Sequence, residues 1–376
     1  MPADALLLYG STSFGAPQFS ADILWRIGFR VPDPVFVLDY GRRVLFVSPL
    51  EYGRARQEAR VDEVVLLTSA APAIEQVLSH IARAHVTRLM LPVEFPYAFA
   101  KKCEESCTVE VKRGPLYPER TKKTLTEVNE IARAQAAAAK SIEEAREFLK
   151  ACRIKDGVVF SGDEPLTSEV LRNRISDELY RHGYLGVGAI VASGIQAANP
   201  HAEGSGPLMA YAPIVFDVFP TSLTTHYYGD MTRTLFKGEP SPALRRMYET
   251  VSRVQEEAIA MVRAGVDGSL IYKRVVERFA EAEYPTEAFP GTAEGFIHGL
   301  GHGVGLEIHE EPRIGKRPFA LEAGNVITIE PGLYYSKPRP GVPAGGIRIE
   351  DIVVVDEEGS QVLSGLPKDF AWAVIG

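Results

Sequence analysis

The stretch from Gly295 to Pro312 reads Gly-Phe-Ile-His-Gly-Leu-Gly-His-Gly-Val-Gly-Leu-Glu-Ile-His-Glu-Glu-Pro, and it limits what this chain can fold into more than any other. Glycines alternate through it at 299, 301, 303 and 305, and each would cost a helix roughly 1 kcal/mol relative to alanine. His298 and His302, although four apart, are therefore not a helical metal pair. They belong to an extended segment whose backbone passes close to another part of the molecule. Pro312 and Arg313 also rule out the His-Glu-x-x-His zinc helix that His309 and Glu310 would begin. Ligands for such histidines have to come from elsewhere.

The chain supplies carboxylates in unusual places. Asp217 lies in Ile-Val-Phe-Asp-Val-Phe, Asp230 opens Asp-Met-Thr-Arg-Thr, Glu330 ends Val-Ile-Thr-Ile-Glu-Pro-Gly, and Glu350 closes Gly-Gly-Ile-Arg-Ile-Glu-Asp. A carboxylate inside an apolar strand costs several kcal/mol unless cations or hydrogen bonds compensate it. Four of them with one imidazole make a cage for two divalent cations: carboxylates can bridge and neutralise, and the nitrogen suits manganese, cobalt, iron or zinc. Two such ions can activate a water and stabilise a tetrahedral oxyanion, the needs of amide hydrolysis.

In this order and these contexts, the set Asp217, Asp230, His302, Glu330 and Glu350 resembles the pita-bread metallopeptidases, in particular the prolidase and aminopeptidase P branch. Gly-His-Gly-Val-Gly, Thr-Ile-Glu-Pro-Gly-Leu-Tyr and Gly-Gly-Ile-Arg-Ile-Glu-Asp carry the resemblance together. It implies an α/β (α+β) chain with a creatinase-like amino-terminal domain at 1–117 and a catalytic domain at 118–376, whose curved, mainly antiparallel sheet is covered by helices. It implies hydrolysis of the bond before proline, by an Xaa-Pro dipeptidase or aminopeptidase with two divalent ions, manganese first. Asp217 would hold one ion, His302 and Glu330 the other, and Asp230 and Glu350 both. Glu330 resembles the family's proton shuttle, His309 the histidine at the scissile carbonyl, and His201 and His298 histidines on the substrate side. Arg348 takes the place of an arginine in the site's hydrogen-bond network. Arg313 resembles the prolidase arginine that binds a dipeptide's free carboxylate, a task suited to a guanidinium. The resemblance also implies a homodimer.

One departure stands out. Asp217 and Asp230 are thirteen residues apart where the family has eleven, and Phe219-Pro220 displaces its glycine. A two-residue insertion preserves the face to which each side chain points, so a longer hairpin tip at 221–228 is expected, with both ligands on paired strands. Other readings are a peptide-binding relative without catalysis, a metal-independent amidinohydrolase like creatinase, or a lyase or hydrolase acting on a non-proline substrate, since a fold does not fix its substrate.

The remaining features bound the setting. A formal charge of −8 argues against nucleic acid or an anionic membrane as partner. The residues from Met1 to Arg26 lack a signal-peptide pattern and there is no long apolar run, so a cytoplasmic protein is expected. Cys103, Cys107 and Cys152 are too few and odd in number for a disulfide framework.

Before residue 115, strands are expected at 35–39, 43–48, 64–67 and 88–91 with a helix at 73–84, and His80 and His85 at the surface. A linker at 114–123 then leads to a helix capped by Thr124 and Glu127, and another helix at 167–182. Strands at 187–193, 212–219 and 230–237, helices at 243–264 and 270–284, and strands at 325–329 and 347–355 complete the pattern.

Overall fold

The computed structural model describes residues 3–186, 188–289 and 292–376, and the chain divides into two compact units, Met1–Arg120 and Thr121–Gly376. In the first unit the elements run β1 (Ala3–Gly10), α1 (Ala21–Ile27), β2 (Val35–Asp39), β3 (Arg43–Val47), α2 (Pro49–Glu58), β4 (Glu63–Leu66), α3 (Ala73–Arg83), β5 (Val86–Pro92), α4 (Tyr97–Glu104) and β6 (Thr108–Lys112). The strands form one sheet in the order β4-β3-β2-β1-β5-β6. Alternate residues of its central strands feed two cores: Leu7, Phe36, Leu38 and Phe46 pack with α3 on one face, and Leu6, Leu8, Val37 and Leu45 with α1 on the other. Burial on both faces explains why these strands read as unbroken apolar runs. The sequence reading anticipated α3 but not α1, α2 or α4. In α2 only Ala55 is buried, so it carries almost no apolar periodicity to detect. His85 is exposed, whereas His80 is half-buried with its ring edge-on to Phe46 at 5.2 Å, a correction to its expected surface position.

The second unit opens with α5 (Leu125–Lys150), closed at its start by the Thr124–Glu127 capping box. A ribbon of β7 (Arg153–Lys155), β8 (Val158–Ser161) and β9 (Glu164–Pro165) precedes α6 (Ser168–Arg181) and β10 (Tyr184–Leu185). Then come β11 (Ile190–Ser193), β12 (Pro213–Val218), β13 (Thr221–Ser222) and β14 (Met231–Lys237), followed by α7 (Pro242–Met261), α8 (Gly268–Glu281), β15 (Glu287–Phe289) and β16 (Thr292–Glu294). The chain ends with β17 (Gly301–Gly303), β18 (Glu310–Ile314), β19 (Val326–Ile329), β20 (Gly332–Tyr335), β21 (Gly345–Arg348), β22 (Asp351–Val355), β23 (Ser360–Val362), α9 (Phe370–Ala373) and β24 (Val374–Ile375).

Two sheets dominate this unit, β11-β12-β14-β24 and β18-β17-β19-β22-β23, with β20 and β21 as a separate antiparallel pair. One continuous core joins both sheets to the helices: Ile142, Leu171, Val251 and Val275 pack in the same cluster as Phe216, Leu235, Ile327 and Val353. Because successive strand residues face opposite ways, Phe216 and Val218 enter that core while Asp217 faces away from it.

Several boundaries moved for identifiable reasons. The expected strand at 347–355 is two strands, interrupted at Ile349 and Glu350. Of the expected strand 187–193, Val187 lies outside the described residues and β11 covers the rest from Ile190. Helix α7 stops before the expected Ala264 because the following amides bond elsewhere, Ala264 to the Asp356 carbonyl at 2.9 Å and Gly265 to that of Leu321 at 2.8 Å. Asp267 caps α8 through the Ser269 amide and starts it two residues early. Nor is the 114–123 segment only a linker: Pro118–Thr121 forms a 3-10 turn and Lys123 is buried. Among the described residues, no helix is long and apolar enough to cross a membrane.

Candidate metal centre

The register of β12 on β14 decides how the two aspartates meet. Asp217 lies opposite Thr232 and Val218 opposite Met231, which sets Phe219 against Asp230 and puts Asp217 and Asp230 on one face, as the two-residue insertion predicts. The extra chain goes to the tip, where Thr221 and Ser222 pair with β10. His226 is buried there at a φ of 65°, away from the residues that line the cavity.

His302 is the middle residue of β17, and the glycines around it are required by close approach. A Cβ on Gly301 would stand 1.9 Å from the Thr328 carbonyl oxygen, and one on Gly303 2.3 Å from that of Glu311. Only bare backbone lets β17 sit this tightly between its neighbours. Arg313 is directly opposite His302 on β18, so their side chains leave the sheet on the same side. Glu330 follows the end of β19, its amide bonded to the Leu300 carbonyl at 2.9 Å. Glu350 occupies the break between β21 and β22, its amide bonded to the Thr232 carbonyl at 3.0 Å. That break joins the β21–β22 segment to β14, and a continuous strand would carry Glu350 past the site.

These residues line a cavity of about 760 Å³, together with Asp217, His201, His298, His309 and Arg313. Asp230, His302 and Glu350 each present a ligand atom within 4.8 Å of the others. His302 Nδ1 lies 3.1 Å from the Gly303 carbonyl, a contact that only a protonated Nδ1 can make as a hydrogen bond. Its Nε2 lone pair then faces Asp230 Oδ2 at 3.6 Å and Glu330 Oε1 at 3.4 Å. A lone pair aimed at two carboxylate oxygens is repulsive, and a cation between them turns it into coordination.

The electrostatics agree. Burial, reinforced by the neighbouring carboxylates, holds Asp230 and Glu350 well above the usual carboxylate range, and burial pushes Glu330 up to about 7 against the pull of Arg348. Burial, then His309, drives the His302 imidazole down to about 3, and burial, then Arg348, drives His298 to about 4. His309 is lowered too, by burial and then Arg313. The protein alone thus resists both charged carboxylates and charged imidazoles here. Divalent cations fit this donor set: they compensate the acids and use the neutral imidazole.

Each anticipated residue has a definite place. Arg348 does not pair with its neighbour carboxylates; its Nη2 donates to Asp217 Oδ2 at 2.6 Å, its Nη1 to the Tyr334 hydroxyl at 3.0 Å and its Nε to Thr232 Oγ1 at 3.1 Å. Asp217 is therefore held by Arg348 at the edge of the Asp230–His302–Glu350 group. His298 Nε2 lies 2.9 Å from the Tyr334 hydroxyl and its Nδ1 4.0 Å from Glu330. The His309 ring meets that of His302 edge-on at 4.4 Å. His201, His309 and Arg313 are exposed on the cavity wall.

Sequence reasoning missed the groups that orient these ligands. Gln135 on α5 brackets Asp230, accepting from its amide and donating to its carbonyl, both at 2.8 Å. The signal was there: Gln135 is polar on the helix face that otherwise buries Ile131, Ala134, Ala138 and Ile142. Thr232 donates to Glu350 Oε2 at 2.7 Å, and its position two residues beyond Asp230 already put it on the same face. Tyr334 and the buried Arg233, which bonds the Glu350 carbonyl at 2.7 Å, had no such local signal.

Comparison with known proteins follows the same lines. The Xaa-Pro dipeptidase of Pyrococcus horikoshii is 29% identical over 330 residues, covering 85% of this chain and 83% of that protein, and the Xaa-Pro dipeptidase of Pyrococcus furiosus is 34% identical over 236 residues, covering 60% and 62%. Among solved structures, an X-Pro aminopeptidase from Thermotoga maritima superposes with a TM-score of 0.79 at 25% identity over 98% of this chain and 97% of that one. The prolidase from Pyrococcus furiosus gives 0.76 at 26% over 96% of each. The architecture is thus the pita-bread fold of these enzymes, mixed α/β with mostly antiparallel sheets. Residues 129–357, which contain every ligand candidate named above, match the model of metallopeptidase family M24, and the chain belongs to that family.

Proposed function

We propose that this metallopeptidase hydrolyses the peptide bond before proline in short peptides, with dipeptides preferred, using two divalent cations held by Asp217, Asp230, His302, Glu330 and Glu350. The observation that carries the reading is the neutral His302 Nε2 turned toward the oxygens of Asp230 and Glu330 inside a cavity ringed by buried acids. Bound there, the cations would polarise the scissile carbonyl and lower the pKa of the attacking water; manganese is the first choice, with cobalt, iron and zinc as alternatives. Glu330, within 3.4 Å of the Thr328 hydroxyl and 4.0 Å of His298, takes the water's proton and delivers it to the leaving nitrogen. The leaving amine nitrogen would depart as a poor anion, so it needs this proton.

The chain's other groups receive the substrate. His309 donates toward the carbonyl oxygen as it gains charge, with His201 and His298 beside it. Arg313 takes the free carboxylate that follows the proline, Ile308 and Ile314 supply apolar wall for the ring, and Phe219 bounds the space for the first side chain. Arg348 keeps Asp217 turned to the site. The amino-terminal unit is read as the creatinase-like domain and the working form as a cytoplasmic homodimer.

The test is hydrolysis of Ala-Pro, Leu-Pro, Ala-Pro-Ala and Ala-Ala after chelation and after adding manganese, cobalt or zinc. Cleavage confined to the proline substrates, dependent on added metal and absent from Glu350→Ala, is the expected result. Equal cleavage of Ala-Ala would replace the proline reading with a broader peptidase, and undiminished activity after chelation would overturn the metal centre.

A further inference from the structure

Glu310 follows His309 but turns its carboxylate inward. There it meets Lys123 at 2.9 Å, with side chains only 7% and 2% exposed. Lys123 comes from the short segment before α5, which is stitched to the entry of β19. Its amide bonds the Gly324 carbonyl at 2.7 Å, Lys122 bridges to Asn325, and Asn325 Nδ2 donates to the Thr121 carbonyl at 2.9 Å. The cation is thus presented by backbone that cannot move independently of β19, the strand leading to Glu330.

The carboxylate in turn shapes the loop that carries His309. Glu310 Oε1 accepts from the Glu307 amide at 3.1 Å, and the carboxylate sits over Gly305, where a Cβ would come within 2.6 Å of Oε2. The Gly305 amide bonds the Glu307 carbonyl at 3.1 Å, and the Gly305 carbonyl accepts from Tyr228 at 2.9 Å. The turn from Gly305 to His309 is therefore wrapped around a buried charge whose partner lies outside the turn. His309 itself projects into the cavity from the end of this loop, where its ring approaches that of His302 edge-on. A neutral amide at 310 could close the turn but would meet Lys123 with an uncharged acceptor, leaving the buried ammonium without its counter-charge and weakening the tie to the strand that presents Glu330.

We propose that Lys123 and Glu310 are positioning residues which set the place of His309 over the metal centre. The proposal rests on the reading of His309 as the group that meets the scissile carbonyl. Removing the tie shifts a donor that acts in the transition state more than in substrate binding, so the loss belongs in kcat.

The experiment places Lys123→Met, Lys123→Arg and Glu310→Gln in the full-length, metal-loaded enzyme, alone and with His309→Ala, and measures kcat and KM for an Xaa-Pro dipeptide. Metal content and the His309 ring resonances of the metal-free protein are measured alongside. Lys123→Met and Glu310→Gln should lower kcat about 10- to 100-fold with KM within about twofold, as a displacement near 1 Å can. Lys123→Arg should recover much of the loss, the His309 resonances should shift, and no further loss should appear when His309 is already alanine. The double substitution Lys123→Met with Glu310→Gln leaves no buried charge behind, so it carries the same test if a single variant does not fold. A folded, metal-replete Lys123→Met enzyme with kcat within twofold of wild type overturns the proposal, as does a loss that multiplies with that of His309→Ala. Wild-type kcat in His309→Ala alone would sink the underlying reading of His309 and the proposal with it.

Discussion

Stripping the metal should make the stability of this protein fall as pH rises through the neutral range. The reason is the sign of the carboxyl shifts. Burial raises Glu330 from 4.5 to about 7 and carries Asp230 and Glu350 well above their ordinary values. An acid whose folded pKa exceeds its unfolded one keeps its proton in the native state after the unfolded chain has released it. Its favourable contribution is therefore complete below about pH 4.5 and lost as pH passes through about 7. For Glu330 alone the difference of 2.5 between those two values is worth on the order of 3 kcal/mol at about 1.4 kcal/mol per unit. In a chain of 376 residues, with an unfolding entropy of about 2.1 cal/mol/K per residue, that corresponds to a fall in Tm of roughly 4 °C.

The assay is calorimetry of the chelated protein at pH 5, 6, 7 and 8, repeated with saturating manganese and with Glu330→Gln. The chelated wild type should lose Tm mainly between pH 6.5 and 8, because at lower pH the imidazoles of His302, His298 and His309, held neutral by burial below their ordinary 6.5, add stability as pH rises and offset the acids. Manganese should flatten the trend, because the cation stabilises the deprotonated cage and binds more tightly as protons leave. Glu330→Gln should remove part of the slope without metal. A chelated protein whose Tm is level or rising from pH 7 to 8, or a slope unchanged by either metal or Glu330→Gln, would refute the assignment of these acids to one buried, mutually repelling cluster.

Three further outcomes are expected. Arg313→Ala should raise KM several-fold for an Xaa-Pro dipeptide and less for the matching tripeptide amide; equal effects on both would remove Arg313 from carboxylate recognition. Phe219→Ala, which opens the cavity wall packed on Gly188, should improve kcat/KM for bulky first residues relative to alanine, and an unchanged ratio across Gly-Pro, Ala-Pro and Phe-Pro would show that the ring does not limit the substrate. Gly301→Ala drives a methyl into the Thr328 carbonyl and should destabilise by about 2 kcal/mol or more, read from the urea midpoint; a midpoint equal to wild type would mean that β17 tolerates displacement.

The candidate metal centre was legible because its chemistry breaks local rules. Asp217 inside Ile-Val-Phe-Asp-Val-Phe and Glu350 at the end of Gly-Gly-Ile-Arg-Ile are charges where the strand pattern calls for apolar residues, and both proved to face a shared cavity. The alternation of glycine with His302 had a single physical meaning, close backbone passage, and the Thr328 carbonyl oxygen, 1.9 Å from where a Cβ on Gly301 would stand, marks that passage. Helix α5 was legible for the same reason, since Thr124, Glu127 and a buried stripe from Ile131 to Leu149 all lie within one local window. Helix α2 was not, because its two faces hardly differ.

What escaped the sequence is the set of partners that convert five ligand candidates into one geometry, and the cause is distance along the chain. Gln135 reaches Asp230 across 95 positions and Lys123 reaches Glu310 across 187, and although the resemblance placed Arg348 in the site's network, its partner Asp217 lies 131 positions away. No periodicity or spacing encodes such pairings; they exist only once β12, β14, β17 and α5 share a core. The ligands themselves can be recognised alone, because a buried acid is anomalous wherever it lies, but a glutamine, an arginine or a lysine is ordinary until its partner is known. The groups that orient Asp230, Asp217 and His309 are therefore the ones whose substitution should separate rate from metal content: on the proposed reading the ligands would hold the cations, and the distant partners would set the angle at which the substrate meets them.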